Sequence, residues 1–506
     1  MTHKWNYQPI TPEQAEASQQ LAQELGISPI LGKLLVERGI TTAADARKFF
    51  RPQLPDLYDP FLMKDMDIAV ERLNKAMGKK ERILVYGDYD VDGTTAVALV
   101  YKFIQQFYSN IDYYIPDRYN EGYGVSIQGV DYAAESGVGL IIVLDCGIKA
   151  VEEITYAKEK GIDFIICDHH VPDDVLPPAV AILNAKREDN TYPYEHLSGC
   201  GVGFKFMQAF ALNNGIEFHH LIPLLDLCAV SIASDIVTIV FKIGPRINAS
   251  GRIQNGKEAV DLLTEKDFSL ALEKAGQINQ YNETRKDLDK TMTEEANKIV
   301  ADLDGLADRR SIVLYNEDWH KGVIGIVASR LTEIYYRPAV VLTRTDDMAT
   351  GSARSVSGFD VYKAIEYCRD LLENFEEFVS QNILPEQTCA VIDINAEIDF
   401  RDITPKFFSD LKKFNPFGPD NAKPIFCTHN VYDYGTSKVV GRDQEHIKLE
   451  LVDNKSNNVM NGIAFGQSSH VRFIKTKRSF DICYSIEENT HKRGEVQLQI
   501  EDIKPN

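Results

Sequence analysis

Five short apolar runs alternate with helical segments between Arg82 and Leu183, and this pattern constrains the fold more than any other feature. Helical segments such as Thr95 to Phe107 and Ala150 to Lys160 separate the runs. Runs that are apolar throughout are typical of strands buried on both faces. We therefore predict an α/β fold with a mainly parallel sheet covered by helices. The runs are Ile83 to Tyr86, Tyr113 to Ile115, Leu140 to Leu144, Phe164 to Cys167 and Val180 to Leu183.

Three aspartates at alternate positions, Asp88, Asp90 and Asp92, follow the first run within the sequence Gly-Asp-Tyr-Asp-Val-Asp-Gly. Parallel sheets bind their ligands at the carboxyl ends of the strands. Carboxylates this close repel one another unless a cation compensates them, and hard oxygen ligands suit Mg²⁺ or Mn²⁺. The alternative interpretation is an Asp-rich turn that pivots on Gly93.

Aspartates also follow two later apolar segments. Asp145 follows the third run at once, and Asp235 follows the apolar segment Leu224 to Ile232, which we expect to be a further strand. Either aspartate alone could instead be a helix cap. Together with the first motif, they predict a cluster of carboxylates at one edge of the sheet.

The fourth run leads directly into Asp168-His169-His170. Imidazole nitrogens suit Mn²⁺, and one of the two rings could instead donate a proton to a phosphate oxygen. A polar loop is the other interpretation. With acids at the neighbouring strand ends, we favour a metal-dependent phosphoesterase.

Two further segments could bind phosphate. The sequence from Gly244 to Arg252 combines Arg246, Asn248 and Arg252 with glycines that allow close backbone approach, although a structural turn is the alternative. His320 to Gly325 places two glycines before a helix, where free N–H groups could meet an anion or where the glycines could serve close packing.

The 506 residues suggest two to four domains. We expect a helical region at 1–78 and a catalytic α/β domain at 79–264. A long connector helix is predicted at 265–304, a second α/β domain at 305–414 and an OB-like β-barrel at 415–506. In the barrel, the mixed basic and aromatic run from His470 to Arg478 resembles single-strand-binding surfaces, although such a run is more often a solvated face.

A formal net charge of −20 argues against binding of nucleic acid by the whole surface, but it leaves room for a local basic groove. The most apolar stretch, Leu221 to Phe241, is interrupted by Asp226 and Asp235, so we expect no membrane span. Met1 to Trp5 lacks the apolar run of a signal peptide. Eight cysteines without a paired Cys-x-x-Cys motif fit a reducing cytoplasm.

The order of these motifs resembles the DHH family of phosphoesterases and, within it, the RecJ-type single-strand-specific exonucleases. The resemblance runs through the whole chain and includes the segments Asp318 to Arg330 and Gly351 to Ser355. It implies a two-metal site that uses Mn²⁺ or Mg²⁺. The implied metal ligands are Asp90, Asp92, Asp145, His169 and Asp235.

The resemblance also assigns supporting and substrate-binding roles. It places Asp88 and Asp168 beside the ligands, brings His170 to the scissile phosphate, and makes Asp145 the bridge between the two cations. Arg118, Ser352 and Arg354 match the positions that hold a terminal 5′-phosphate. The implied substrate contacts are completed by Arg246, Asn248, Arg252 and His320.

Two stretches carried by the family are missing from this sequence. Only Thr238 to Lys242 lies between the Ser-Asp-Ile-Val and Gly-Pro-Arg motifs, and a Gly-Gly-His motif is absent between Phe375 and Glu376. Either the protein is naturally short at both points, or its natural form is longer there. We favour the longer form, because such deletions would damage a substrate-contacting motif while every other motif stays intact.

The preferred function is a 5′ to 3′ exonuclease that converts single-stranded DNA to 5′-mononucleotides in DNA repair and recombination. One alternative is a phosphatase of the same superfamily that acts on nano-RNA or phosphoadenosine phosphate, which needs only the two α/β domains. Another is a catalytically silent replication scaffold, which would be expected to lose metal ligands. Expected partners are single-stranded DNA and, by resemblance alone, a single-strand-binding protein and a repair helicase.

Overall fold

The computed structural model describes residues 3–234, 243–303, 309–345, 348–368, 374–418, 421–441, 444–456, 458–489 and 494–506. The chain forms two compact units, which are residues 57–383 and residues 1–56 together with 384–506. Within the described residues, no helix combines the length and apolar character that a membrane crossing needs.

The strands are β1 (Lys4–Tyr7), β2 (Arg82–Gly87), β3 (Ile111–Tyr114), β4 (Val138–Leu144), β5 (Asp163–Cys167), β6 (Ala181–Leu183), β7 (Ile312–Tyr315), β8 (Ala339–Thr345), β9 (Met348–Arg354), β10 (Val391–Ile394), β11 (Ala396–Glu397), β12 (Phe426–Asp433), β13 (Lys438–Val440), β14 (His446–Asp453), β15 (Val459–Ala464), β16 (Phe480–Glu488) and β17 (Val496–Pro505). The helices are α1 (Pro12–Leu25), α2 (Pro29–Glu37), α3 (Ala43–Phe50), α4 (Met66–Lys79), α5 (Val91–Gln105), α6 (Ile127–Glu135), α7 (Val151–Glu159), α8 (Gly199–Asn213), α9 (Leu225–Ser234), α10 (Gly244–Ile253), α11 (Lys257–Thr264), α12 (Phe268–Ala301), α13 (Ile324–Tyr335), α14 (Val361–Tyr367), α15 (Asn374–Asn382), α16 (Pro405–Leu411) and α17 (Val471–Ile474).

The five predicted apolar runs form one parallel sheet in the order β3-β2-β4-β5-β6. Alternate residues of each strand point to opposite faces, so Ile83 and Val85 pack against α4, α5 and α8. Their neighbours Leu84 and Tyr86 pack against α6 and α7 on the other face. Both faces are therefore covered, and the predicted α/β class is confirmed.

The predicted connector is observed as α12, a helix of 34 residues. Asp267 caps it by accepting hydrogen bonds from the backbone N–H groups of Ser269 and Leu270 at 2.9 Å each. Beyond it, β7 and β8 pair in parallel and β9 runs antiparallel to β8, with α13 packed against this sheet. This second α/β part carries Ser352 and Arg354 on β9.

In the other unit, β12, β16, β17, β15 and β14 pair in turn, and β14 pairs again with β12, which closes a five-stranded barrel. The predicted C-terminal barrel is therefore present. Helices α1 to α3 share an apolar core with the barrel strands. The first residues are not helical throughout, because Lys4 to Tyr7 form a strand that pairs with β10.

One further local prediction was wrong, and two other motifs are seen in their structural context. The apolar segment Leu224 to Ile232 lies mostly in helix α9 instead of a strand, and Asp235 just beyond it lies outside the described residues. The Gly244 to Arg252 motif is helical, which excludes the alternative interpretation of a structural turn. The basic and aromatic run His470 to Arg478 contains helix α17, whose Ile474 is buried in the barrel core.

A buried lysine predicts an unusual pH dependence of stability. Lys205 is only 4% exposed, and its Nζ donates to the carbonyl of Tyr58 at 2.8 Å and to Gln208 Oε1 at 2.9 Å. Burial lowers the pKa of Lys205 to about 8, and the charge of Asp59 offsets only part of this effect. Between this pKa and the higher pKa of Lys205 in the unfolded chain, the unfolded chain binds more protons than the folded chain. The contribution of Lys205 to the stability of the wild type therefore becomes more favourable as pH rises.

We expect the free energy of unfolding of the wild type to rise relative to Lys205→Met by about 2 kcal/mol between pH 7 and pH 10. Urea denaturation at several pH values measures this difference. Parallel pH curves for the two proteins would contradict it.

Candidate metal and phosphate site

The strand register places three acidic positions side by side. Gly87 pairs with Leu144, and Leu144 pairs with Cys167, so the next residues along the chain are Asp88, Asp145 and Asp168. All three are buried, with exposures of 1%, 2% and 0%. The predicted cluster at the carboxyl edge of the sheet is therefore present in the described residues.

Asp90 and Asp92 lie at the start of α5. Asp90 caps the helix, because its Oδ1 accepts a hydrogen bond from the N–H of Gly93 at 3.0 Å. A Cβ at Gly93 would stand 2.4 Å from the carbonyl oxygen of Asp88, so only glycine allows α5 to begin this close to the strand end.

Asp92 is held from a second direction. Its two oxygens accept hydrogen bonds from the N–H groups of Gly199 and Cys200, each at 2.7 Å, at the start of α8. Ser231 Oγ of α9 adds a third donor at 2.8 Å. These donors fix the side chain of Asp92, and the helix N-terminus favours its negative charge.

Asp145, His169 and His170 each present a ligand atom, and these atoms lie within 4.8 Å of one another. His169 Nε2 is 3.1 Å from Asp145 Oδ1 and 3.7 Å from Asp92 Oδ2. Asp145 adopts a left-handed backbone conformation with φ of 60°, which is uncommon for residues other than glycine. A Cβ at Gly199 would stand 2.6 Å from Asp145 Oδ1, so α8 also depends on glycine here.

Burial and mutual repulsion disfavour the ionised forms of Asp88, Asp90 and Asp145. Burial, reinforced by the charge of Asp90, raises the pKa of Asp88 to about 7. The pKa of Asp145 is raised well above its usual range by burial and then by Asp92, and burial also raises the pKa of Asp90. Both oxygens of Asp88 and Oδ1 of Asp145 are buried without a hydrogen-bond partner among the described residues.

Such acids are stabilised in their ionised form by a divalent cation. The donor set of carboxylate oxygens and one imidazole fits Mn²⁺ or Mg²⁺. Burial lowers the pKa of His169, which favours the neutral ring that ligates metals.

Asp168 has a different environment. Its Oδ1 accepts from the N–H groups of His169 at 2.7 Å and His170 at 3.1 Å, and its Oδ2 accepts from the N–H of Ile148 at 3.0 Å. Its Oδ1 also lies 2.7 Å from His170 Nδ1. These contacts suit Asp168 to orient His170 instead of ligating a metal.

The charges of Asp168 and His170 stabilise each other. Burial raises the pKa of Asp168, but the hydrogen bonds with His170 outweigh it, so the pKa lies below its usual range. The same bond raises the pKa of His170, although burial opposes the shift. His170 is therefore suited to carry a proton next to a bound anion.

Basic groups gather beside the acids. Arg252 Nη1 donates to the carbonyl of Gly322 at 2.9 Å, which joins α10 to the second α/β part. Burial and the nearby charges of Arg118, Arg285 and Arg354 lower the pKa of Arg252 to about 10. Cations brought together against their repulsion suit a phosphate group.

His320, Ser352 and Arg354 border this basic region. Burial and the charge of Arg118 lower the pKa of His320. A Cβ at Gly325 would stand 3.0 Å from Ser352 Oγ and 3.5 Å from Arg354 Nη2, which locates both side chains at the start of α13. Arg354 also donates from Nε to Ser329 Oγ at 3.1 Å.

The last predicted residues lie on α10 or outside the described residues. Arg246 and Asn248 lie on α10, where Arg246 Nε donates to Asn279 of α12. Asp235 lies outside the described residues. The roles of these three residues, like the roles assigned to the others, stay predictions.

Sequence reasoning missed the groups that support the ligands. Tyr123 places its hydroxyl 3.3 Å from His170 Nε2. Ser231, Gly199 and Cys200 fix Asp92. The Gly-Cys-Gly sequence after Ser198 was a usable signal, because a glycine-rich helix start next to buried acids offers N–H donors.

Comparison with known proteins agrees with this arrangement. Three family models match the chain: the DHH family N-terminal domain at residues 82–232, the DHHA1 domain at 308–375 and the RecJ OB domain at 394–502. The single-stranded-DNA-specific exonuclease RecJ of Bacillus subtilis is 33% identical, over 90% of this chain and 65% of its own length. The RecJ of Haemophilus influenzae is 27% identical, over 94% of this chain and 96% of its own.

Solved structures give the same result. The fold is similar to that of RecJ from Thermus thermophilus in complex with Mn²⁺, with a TM-score of 0.83, 21% identity, and coverage of 99% of this chain and 80% of that one. An exonuclease RecJ bound to manganese is 26% identical with a TM-score of 0.54, over 64% of this chain and 96% of that one. On its three domain matches and these relatives, the chain belongs to the RecJ family of DHH proteins.

Proposed function

We propose that this protein is a metal-dependent exonuclease that degrades single-stranded DNA from its 5′ end to 5′-mononucleotides. The observation that carries the proposal is the set of buried carboxylates at adjoining strand ends, with Asp145 Oδ1 only 3.1 Å from His169 Nε2. The names of the relatives support the substrate, since both are single-stranded-DNA-specific exonucleases. Because the chain spans 65% of the Bacillus relative, the activity of the whole relative is a proposal for this chain.

The proposed ligands are Asp90, Asp92, Asp145, His169 and Asp235. Divalent cations held there supply, when bound, charge neutralisation for a phosphate and activation of an attacking water. The protein contributes the fixed positions of these side chains, which the N–H donors of Gly199 and Cys200 secure for Asp92.

His170 is proposed to hold a proton at Nε2 for an oxygen of the scissile phosphate. Asp168 keeps the ring in place through Nδ1, at 2.7 Å. Arg118, Ser352 and Arg354 are proposed to hold the terminal phosphate, so that hydrolysis starts at the 5′ end. Asp88 supports the cluster from the first strand end, while Arg246, Asn248, Arg252 and His320 are proposed to contact the nearby strand.

The five-stranded barrel gives a physical reason to favour long single strands over dinucleotides, because barrels of this type bind single strands in other proteins. The five domain ranges given above are part of this proposal, as is a role in DNA repair and recombination in the cytoplasm. A single-strand-binding protein and a repair helicase are the proposed protein partners.

Replacing the central carboxylate tests the mechanism. Asp145→Ala should lower Mn²⁺-dependent hydrolysis of single-stranded DNA by more than about 100-fold, beyond the range for residues that only support a ligand. Release of mononucleotides from an end-labelled strand measures it. Asp173→Ala is the matched control, because Asp173 is exposed and forms a surface ion pair with Lys149. Retained activity in Asp145→Ala would refute the mechanism.

His170→Ala should lower kcat by roughly 10²- to 10⁴-fold, as expected when a general acid is lost. Asp168→Asn should also lower kcat, because a neutral amide cannot stabilise the protonated ring of His170. Mn²⁺ affinity, measured by calorimetry, should be retained in His170→Ala. A loss of Mn²⁺ binding would make His170 a ligand instead.

The substrate can be tested independently of the mechanism. A 5′-phosphorylated single strand should be degraded faster than the same strand in a duplex, and faster per bond than a dinucleotide. Rates measured by product chromatography decide this point. Equal rates on strand and duplex would refute the substrate, and faster cleavage of dinucleotides would favour the nano-RNA phosphatase alternative.

A further inference from the structure

Arg118 is held in an unusual way for a half-buried arginine. Among the described residues it forms no hydrogen bond or ion pair. Its guanidinium instead lies over the ring of Tyr89, with Cζ 4.9 Å from the ring centroid. The attraction between a cation and an aromatic face is therefore its main specific contact.

Several positively charged or basic groups close to Arg118 repel its guanidinium. Its charge helps to lower the pKa values of Arg252 and His320, so both lie close to it. Arg354 adds a further positive charge near Arg252. The Asp88 carboxylate lies near it as well, because the charge of Arg118 helps to lower the pKa of Asp88. The ring of Tyr89 is the group on which the guanidinium itself rests.

Tyr89 is itself firmly positioned. It lies between Asp88 and Asp90 in the first acidic motif. A Cβ at Gly251 would stand 2.9 Å from the Tyr89 carbonyl oxygen, and one at Gly256 would stand 2.9 Å from its Cβ. The two glycines let α10 and the start of α11 pack directly against the backbone and Cβ of Tyr89, which fixes the point from which its ring projects.

We propose that Tyr89 is a positioning residue that sets Arg118 at the terminal 5′-phosphate and so contributes to the preference for phosphorylated ends. This proposal rests on the function proposed above, and it goes further by assigning a role to the aromatic position of the acidic motif. The motif then serves both halves of the site, since its aspartates belong to the metal cluster and its tyrosine to the phosphate anchor.

A second aromatic contact links Tyr89 to the residues proposed to act on the scissile phosphate. The ring of Tyr89 meets that of Tyr123 edge-on, with centroids 6.3 Å apart, and the Tyr123 hydroxyl lies 3.3 Å from His170 Nε2. The groups proposed to bind the terminal phosphate and the scissile phosphate are thus connected through the contacting rings of Tyr89 and Tyr123. A fixed spacing between them gives a constant step along the strand.

The test compares the binding of two probes without hydrolysis. Fluorescence anisotropy in EDTA measures the affinities of a short oligothymidylate with a 5′-phosphate and of its 5′-hydroxyl twin. The wild type should prefer the phosphorylated probe, and Tyr89→Leu should lower that preference roughly tenfold, as expected for a partly desolvated cation–π contact. Tyr89→Phe should restore most of it, because the aromatic face is retained.

A double-mutant cycle separates positioning from general damage. If Tyr89 acts through Arg118, the variant with both Tyr89→Leu and Arg118→Ala should show the same preference as Arg118→Ala alone. Additive losses would overturn the proposal, as would equal loss of both probes or failure of Tyr89→Phe to restore the preference. In hydrolysis, the KM for phosphorylated strands should rise in Tyr89→Leu by a larger factor than kcat falls.

The two proposals can fail separately. If the wild type does not hydrolyse single-stranded DNA, the proposed function fails, while the binding preference still tests Tyr89. If it hydrolyses the strand but Tyr89→Leu keeps the full preference for a 5′-phosphate, the inference about Tyr89 alone is refuted.

Discussion

Packing several carboxylates side by side in a buried place is the constraint on which the rest of this structure depends. Each acid alone would be disfavoured by desolvation, and together they repel. The fold stabilises the cluster with backbone N–H donors at the starts of α5 and α8, and glycines let these helices approach the strand ends. Gly93 and Gly199 are required because a Cβ at either would collide with Asp88 or Asp145. The register of the sheet then brings the strand ends level.

The sheet was predictable because its strands are apolar throughout and its acids follow the strands directly. Asp88, Asp145 and Asp168 need only the register of a parallel sheet to become neighbours. The barrel was predictable from short strands joined by polar turns. These features rest on local patterns whose physical cause lies within a few residues.

Other features depend on contacts between distant segments, and a local pattern could not reveal them. The segment Leu224 to Ile232 is as apolar as a strand, yet it lies mostly in a helix that brings Ser231 to Asp92. The helical form of the Gly244 motif follows from packing against Tyr89 and α12. The family resemblance already gave Asp168 and Asp145 different predicted roles, but the sequence could not show their hydrogen bonding. Both oxygens of Asp168 accept from backbone N–H groups, whereas Asp145 Oδ1 has no hydrogen-bond partner among the described residues.

The raised pKa values of the buried acids also concern the exchange of ions with the solvent. Burial favours the protonated form of these acids when no metal is bound, since it raises the pKa of Asp88 to about 7 and that of Asp145 well above its usual range. A cation that enters must displace those protons. We therefore expect metal uptake to release protons and the affinity of the apoprotein for cations to increase as the solution becomes more alkaline.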